Sequence, residues 1–159
     1  MPPLHHRESS LTAVALTDDR VAIELIVDGR HLHPRIVDLI VRCKPPDMLL
    51  GISNSVFCRN ARTLEENGVV RTSDGVIAGA TMTLENSWTH LRSYANMPEP
   101  LACACITANP AKALGLITRG ELFPGRRADI TFFDSKTNKV RLTIAKGEVV
   151  YDSQKGDVQ

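Results

Sequence analysis

A chain of 159 residues, 43% hydrophobic and 23% charged, is long enough for one domain with a real core and has ordinary globular composition. Its net charge of +1 offers no electrostatic ground for binding nucleic acid or an anionic membrane surface. No apolar run approaches the roughly 20 residues of a membrane-spanning helix, and Met1–Glu8 lacks the apolar centre of a signal peptide, so the expected location is the cytoplasm, with neither membrane nor nucleic acid as partner.

Residues 1–20, with Pro2, Pro3, His5, His6, Arg7 and Glu8, show little periodicity and read as a loop. Val21–Val27, apolar apart from Glu24, predicts a strand buried mostly on both faces, as in a parallel sheet. Asp28–Pro34 is a polar loop with two histidines. Pro34 suits the first turn of a helix, where its missing N–H would have no acceptor. Arg35–Cys43 sets Ile36, Leu39, Ile40 and Cys43 at helical spacing, and Pro45-Pro46 ends that helix. Met48–Ile52 is a second short strand, closing on Ser53-Asn54-Ser55. Strand, helix and strand in this order predict a βαβ unit, parallel with a right-handed crossover. Such folds place their chemistry in the loops after strand C-termini, which makes His31 the first candidate.

Val69–Arg71 and Val76–Ala78 flank Thr72-Ser73-Asp74-Gly75, a hairpin turn. A helix after residue 81 has Leu84, Trp88, Leu91 and Ala95 on one face. Trp88 reads as core, and His90 as a solvated helix position. A second helix runs from about 98 to 108 with Leu101, Ala104, Cys105 and Ala108 inward, broken at Asn109-Pro110. Pro110 then opens a short helix, Ala111–Leu114, closed by Gly115. Beyond residue 119, Ile130–Phe133, Val140–Ala145 and Val149–Tyr151 predict strands, with turns at Ser135–Asn138 and Lys146-Gly147. Cys43, Cys58, Cys103 and Cys105 form no C-x-x-C pair and read as small buried thiols, not as a zinc or disulfide framework. The expected organisation is an α/β part over residues 1–118, a small antiparallel β part over 119–151, and a polar tail over 152–159.

Several of these segments combine into a resemblance. Gly120-x-Leu122-x-x-Gly125-x-x-Ala128-Asp129 with Asp134 resembles the C-terminal signature of the amidohydrolase superfamily. Met1–Glu8, Asp28-Gly29-x-His31-x-His33-Pro34, Ala78-Gly79-Ala80-Thr81-x-Thr83 and Asn109-Pro110-Ala111-x-Ala113-Leu114-Gly115 together resemble the N-acetylglucosamine-6-phosphate deacetylases, in order, over about residues 1–151. The resemblance implies the C-terminal part of a metal-dependent (β/α)8 TIM barrel plus part of a small β-sandwich. A complete barrel of this kind needs roughly 250 residues. The family's metal ligands match no position here, so no metal ligand is assigned and no cofactor is expected in this chain. A divalent metal, zinc or iron, is expected only for a complete member.

The implied reaction is hydrolysis of an acetamide on an amino-sugar phosphate. A metal activates water and an aspartate moves its proton. Asn54 occupies that aspartate's position and cannot serve as a base. His31 matches a substrate contact beside the scissile amide. Arg7, with His6 beside it, matches a phosphate-gripping segment that reaches across a dimer interface, where a guanidinium fork suits phosphate. Gly79 and Ala80 match a substrate-lining loop. The expectation is therefore a chain that is inactive by itself. It would be marginally stable alone or associated with a homodimer partner or a separately encoded N-terminal half, since a part-barrel has open sheet edges. The alternatives are a non-catalytic sugar-phosphate-binding or interaction protein, and a truncated gene product.

Overall fold

Ser10 opens the first helix: its hydroxyl accepts the Ala13 N–H at 3.2 Å at the head of α1, Leu11–Thr17. A side-chain cap of this kind satisfies one of the amides a helix leaves unbonded at its start. The loop expected over residues 1–20 therefore contains a helix. It lacks a readable apolar period because no residue of α1 is buried and Leu11 and Val14 face outward. The computed structural model describes residues 4–56 and 63–157.

The βαβ unit is present. Strands β1, Ile23–Ile26, and β2, Leu49–Ile52, run parallel with Ile23 opposite Leu49 and Ile26 opposite Ile52. Helix α2, Pro34–Cys43, makes the crossover, with Pro34 in its first turn. Two details differ from expectation. β1 and the residue after it alternate, with Leu25 and Val27 buried, Glu24 exposed and Ile26 half-buried, so one face is covered more fully than the other. In α2 the inward residues are Val37 and Ile40, while Ile36, Leu39 and Cys43 are exposed. Neighbouring positions on a helix differ by about 100°, and α2 carries two adjacent apolar stripes. The stripe that is buried leads to Lys44, whose ammonium, itself buried, donates to the Asp18 carbonyl at 2.6 Å.

A three-stranded antiparallel sheet follows: β3 (Thr63–Glu66), β4 (Val69–Thr72) and β5 (Ile77–Ala80). The Thr72–Gly75 hairpin is as expected, and β3 is an addition to the expected elements. Asn67 and Gly68 both have positive φ, +51° and +81°, the conformation that an Asn-Gly two-residue hairpin turn favours.

Helices α3, Leu84–Ala95, and α4, Glu99–Ile106, pack against β2. Trp88 and Leu91 are buried as expected; Leu84 and Leu101 are exposed, and Ala102 and Cys105 take the inner positions of α4. Arg92 lies over the Trp88 ring, 4.5 Å from its centre, a cation–π contact. Burial pushes the Cys105 thiol up to about 11. Cys43 and Cys103 are exposed, so among the described cysteines the buried-thiol reading holds for Cys105 alone. Cys58 lies outside the described residues.

The chain divides into two compact units, residues 1–106 and 107–159, a boundary that falls ahead of the expected change at 118. The second unit begins with α5, Ala108–Ala113, broken from α4 at Thr107 and not at Asn109-Pro110, and closed by Gly115 at φ +66°. It continues into an antiparallel sheet in the order β6 (Ile130–Phe133), β7 (Val140–Ala145), β8 (Glu148–Asp152), β9 (Gly156–Asp157). The tail expected to be loose thus supplies a short fourth strand. Asp129 accepts the Lys146 N–H and pairs with Arg127, and Asp134 accepts the N–H groups of Lys136 and Thr137. The two aspartates of the signature therefore act as turn clasps. No helix among the described residues is long and apolar enough to cross a membrane.

Candidate functional site

The C-terminal ends of β1 and β2 bring His31 and Asn54 together. Val27 ends the buried run of β1, and Asp28 turns its side chain back over the following loop. Asp28 Oδ1 accepts the backbone N–H groups of Arg30 and His31, each at 2.8 Å, and Oδ2 meets His31 Nδ1 at 2.6 Å. This is the Asx-turn habit of aspartate, extended to a side chain three residues on. The Asp28 side chain is only 4% exposed. Burial opposes its ionisation, but the His31 ring and the two backbone donors outweigh burial and hold its carboxyl below the usual range.

An ionised carboxylate can only accept, so His31 Nδ1 carries a proton. In the neutral ring Nε2 is then the acceptor, and it faces the Asn54 amide nitrogen at 3.4 Å. Asn54 itself sits in the left-handed region at φ +48°, which asparagine tolerates better than most residues. The result is a directed chain from Asp28 through the imidazole to Asn54, within one unit of the fold.

The Gly79–Ala80 segment is stitched beside it. The Ala80 N–H donates to the Asn54 carbonyl at 2.9 Å, and the Val56 N–H to the Ala80 carbonyl at 2.9 Å. A Cβ on Gly79 would stand 2.6 Å from a Val56 methyl and 3.1 Å from the Asn54 oxygen. Glycine here lets β5 approach the end of β2 closely.

The two histidines of the loop have separate tasks. His33 is the N-cap of α2, its Nδ1 accepting the Arg35 N–H at 3.2 Å, whereas His31 points at Asn54. Arg7 and His6 stand exposed in the turn before α1, where the Arg7 N–H bonds His5 Nδ1 at 3.3 Å and the His5 and His6 rings are 4.9 Å apart. Among the described residues no hydrogen bond joins them to His31 or Asn54.

Three residues of this region are absent from the candidates that the sequence offers. Asp28 has a local signal, an aspartate two and three residues ahead of the N–H groups it caps. His90, expected in solvent, has its Nδ1 2.5 Å from the Val27 carbonyl, and Ser87 Oγ donates to the Ile52 carbonyl at 3.3 Å. These two partners lie 63 and 35 residues away in the chain, beyond the reach of local pattern.

A divalent metal would need several donors converging on one point. Both Asp28 oxygens are already engaged within their own loop. No group of three or more His, Cys, Asp or Glu side chains converges among the described residues. This donor set does not fit a metal centre. What it does offer is His31 Nε2 as a hydrogen-bonding atom of fixed direction, and the Asn54 amide beside it.

Comparison with known proteins agrees with the motifs. The amidohydrolase family model matches residues 4–154. N-acetylglucosamine-6-phosphate deacetylase of Bacillus subtilis is 30% identical over 99% of this chain, which spans 42% of that protein. A relative from Escherichia coli strain K12, provisionally named an N-acetylgalactosamine-6-phosphate deacetylase, is 30% identical over 85% of this chain and 87% of its own length. The crystal structure of N-acetylglucosamine-6-phosphate deacetylase from Thermotoga maritima superposes with a TM-score of 0.87 at 30% identity, covering 96% of this chain and 44% of that one. The chain thus spans about two fifths of the longer relatives. It belongs to the amidohydrolase family.

Proposed function

We propose that this chain carries the substrate-contacting part of an amino-sugar-phosphate deacetylase-like site, and that the 159-residue chain by itself binds such a ligand without hydrolysing it. The observation that carries this reading is the pairing of His31 with Asn54 at the ends of two parallel strands. His31 Nε2 hydrogen-bonds the sugar near its acetamide. Asn54, at the position of the family's aspartate, has no group that titrates near neutral pH and so cannot act as a base. General acid–base assistance is typically worth about 10²–10⁴ in rate, and its loss adds to the lack of a fitting metal donor set.

The names of the relatives support an N-acetylhexosamine 6-phosphate as ligand, with the glucosamine and galactosamine forms both represented. Arg7 and His6 take the phosphate, from across a dimer interface or in a complex with an N-terminal half, and Gly79 and Ala80 line the sugar. Zinc or iron enters only with such a complement. Metal analysis and an acetate-release assay test this. The purified chain should hold no stoichiometric zinc or iron and release no acetate above background. Bound metal with turnover would overturn the inactive reading.

A further inference from the structure

We propose that His90 is a positioning residue, the centre of a polar stripe on α3 that sets the loop bearing His31 against the strand end bearing Asn54. The inference rests on the reading of His31 as a substrate contact. Ser87, His90 and Tyr94 lie at i, i+3 and i+7 and so share one face of the helix. Two of them bond backbone carbonyls beside strand ends, and the third packs against the loop between. Ser87 bonds the Ile52 carbonyl, two residues before Asn54. His90 Nδ1 bonds the carbonyl of Val27, the residue before Asp28. A carbonyl can only accept, so His90 Nδ1 carries the proton. The His90 ring stacks on Tyr94 at 4.7 Å with 17° between the planes. The Tyr94 hydroxyl stands 3.1 Å from where a Cβ on Gly29 would be.

Helix α3 therefore bonds the chain just before Asp28, at Val27, and sets Tyr94 close against Gly29 just after it. Asp28 in turn fixes the His31 ring through Nδ1. The same helix holds the end of β2 through Ser87. With His90 in place, the direction of His31 Nε2 is inherited from α3 and not from the loop alone.

The test is site-resolved amide hydrogen exchange on three variants of the full chain. His90→Asn keeps an N–H where Nδ1 stands. His90→Gln places its donor further out, and His90→Phe keeps the ring stack but has no donor. One lost hydrogen bond corresponds to roughly fivefold, so the Arg30 and His31 amides should exchange about fivefold faster in the Phe and Gln variants, relative to the core amides of β2 and α3. The Asn variant should match the parent. If the Phe variant does not fold, the contrast between Asn and Gln decides. Uniform acceleration across the unit, no change, or failure of Asn to restore protection would overturn the proposal. Titration of each variant with N-acetylglucosamine 6-phosphate is the second readout, with affinity expected to fall in Phe and Gln and return in Asn. Parent protein that shows no binding would refute the ligand reading while leaving the exchange result standing.

Discussion

Replacing Asp28 by alanine should cost this small unit a large share of its stability. Asp28 accepts three hydrogen bonds, two from backbone and one from His31, with its side chain 4% exposed. Bonds to a charged acceptor contribute about 1.5–3 kcal/mol each, while an unsatisfied buried donor costs about 1–3 kcal/mol. The Arg30 amide is exposed, so water replaces that bond at little cost. The amide and ring of His31 are partly buried and are not so readily rescued. Burial of the carboxylate works against its own contribution, which leaves a net loss of about 2–4 kcal/mol for Asp28→Ala. Asp28→Asn keeps an acceptor for the amides and should lose about half as much, on the order of 1–2 kcal/mol. The sign of the pH dependence follows from the lowered carboxyl. Its stabilisation is present above the unfolded value of about 3.9 and is lost as pH falls through the lower folded value. Urea denaturation, with unchanged m-values, reads both effects. The gap between parent and Asp28→Asn should be full near neutrality and close below about pH 4. A loss under about 0.5 kcal/mol near neutrality, or a gap that ignores pH, would refute the clasp.

Other consequences are independent of that one. Gly79→Val should destabilise by about 1–3 kcal/mol and shift the Asn54 resonances, because its Cβ would overlap the Val56 methyls; unchanged melting would contradict the close approach. Ser10→Ala should cost about 1 kcal/mol of helix stability, seen as selective fraying of α1 by circular dichroism and exchange. In a thiol-modification assay near pH 8, exposed Cys43 and Cys103 should react readily. Cys105, with its thiol raised to about 11, should stay unreacted until unfolding, since the thiolate is the nucleophile. Asn54→Asp should restore measurable acetate release only when a metal-bearing complement is supplied; equal rates for the parent and this variant in that complex would remove Asn54 from the account of inactivity.

The parts of the fold that are legible in the sequence are those governed by local pattern. The two parallel strands, Pro34 in the first turn of α2 and the Thr72–Gly75 hairpin follow from apolar runs and turn chemistry within a few residues. Asn67-Gly68 carries a signal of the same kind for β3, and Ser10 for α1, but the segments flanking both lack strong periodicity. The inward face of α2 is ambiguous for a physical reason: Ile36, Leu39 and Cys43 are as apolar as Val37 and Ile40, and tertiary contact decides between them. His31 and Asn54 can be named from motif order. Their approach to 3.4 Å depends on the register of β1 against β2. The holds by His90 and Ser87 join residues 63 and 35 positions apart in the chain, so no local pattern announces them.

On this reading His31 makes a ligand site on a chain that does not turn over. Isothermal titration of the purified chain with N-acetylglucosamine 6-phosphate, run alongside His31→Ala and with acetate monitored in the same cell, addresses it. Saturable heat is expected for the parent, with at least about tenfold weaker binding for His31→Ala, as follows from losing a hydrogen bond to a charged or well-oriented group, and no acetate. Absence of heat at millimolar ligand, or equal affinity in the two proteins, would contradict it.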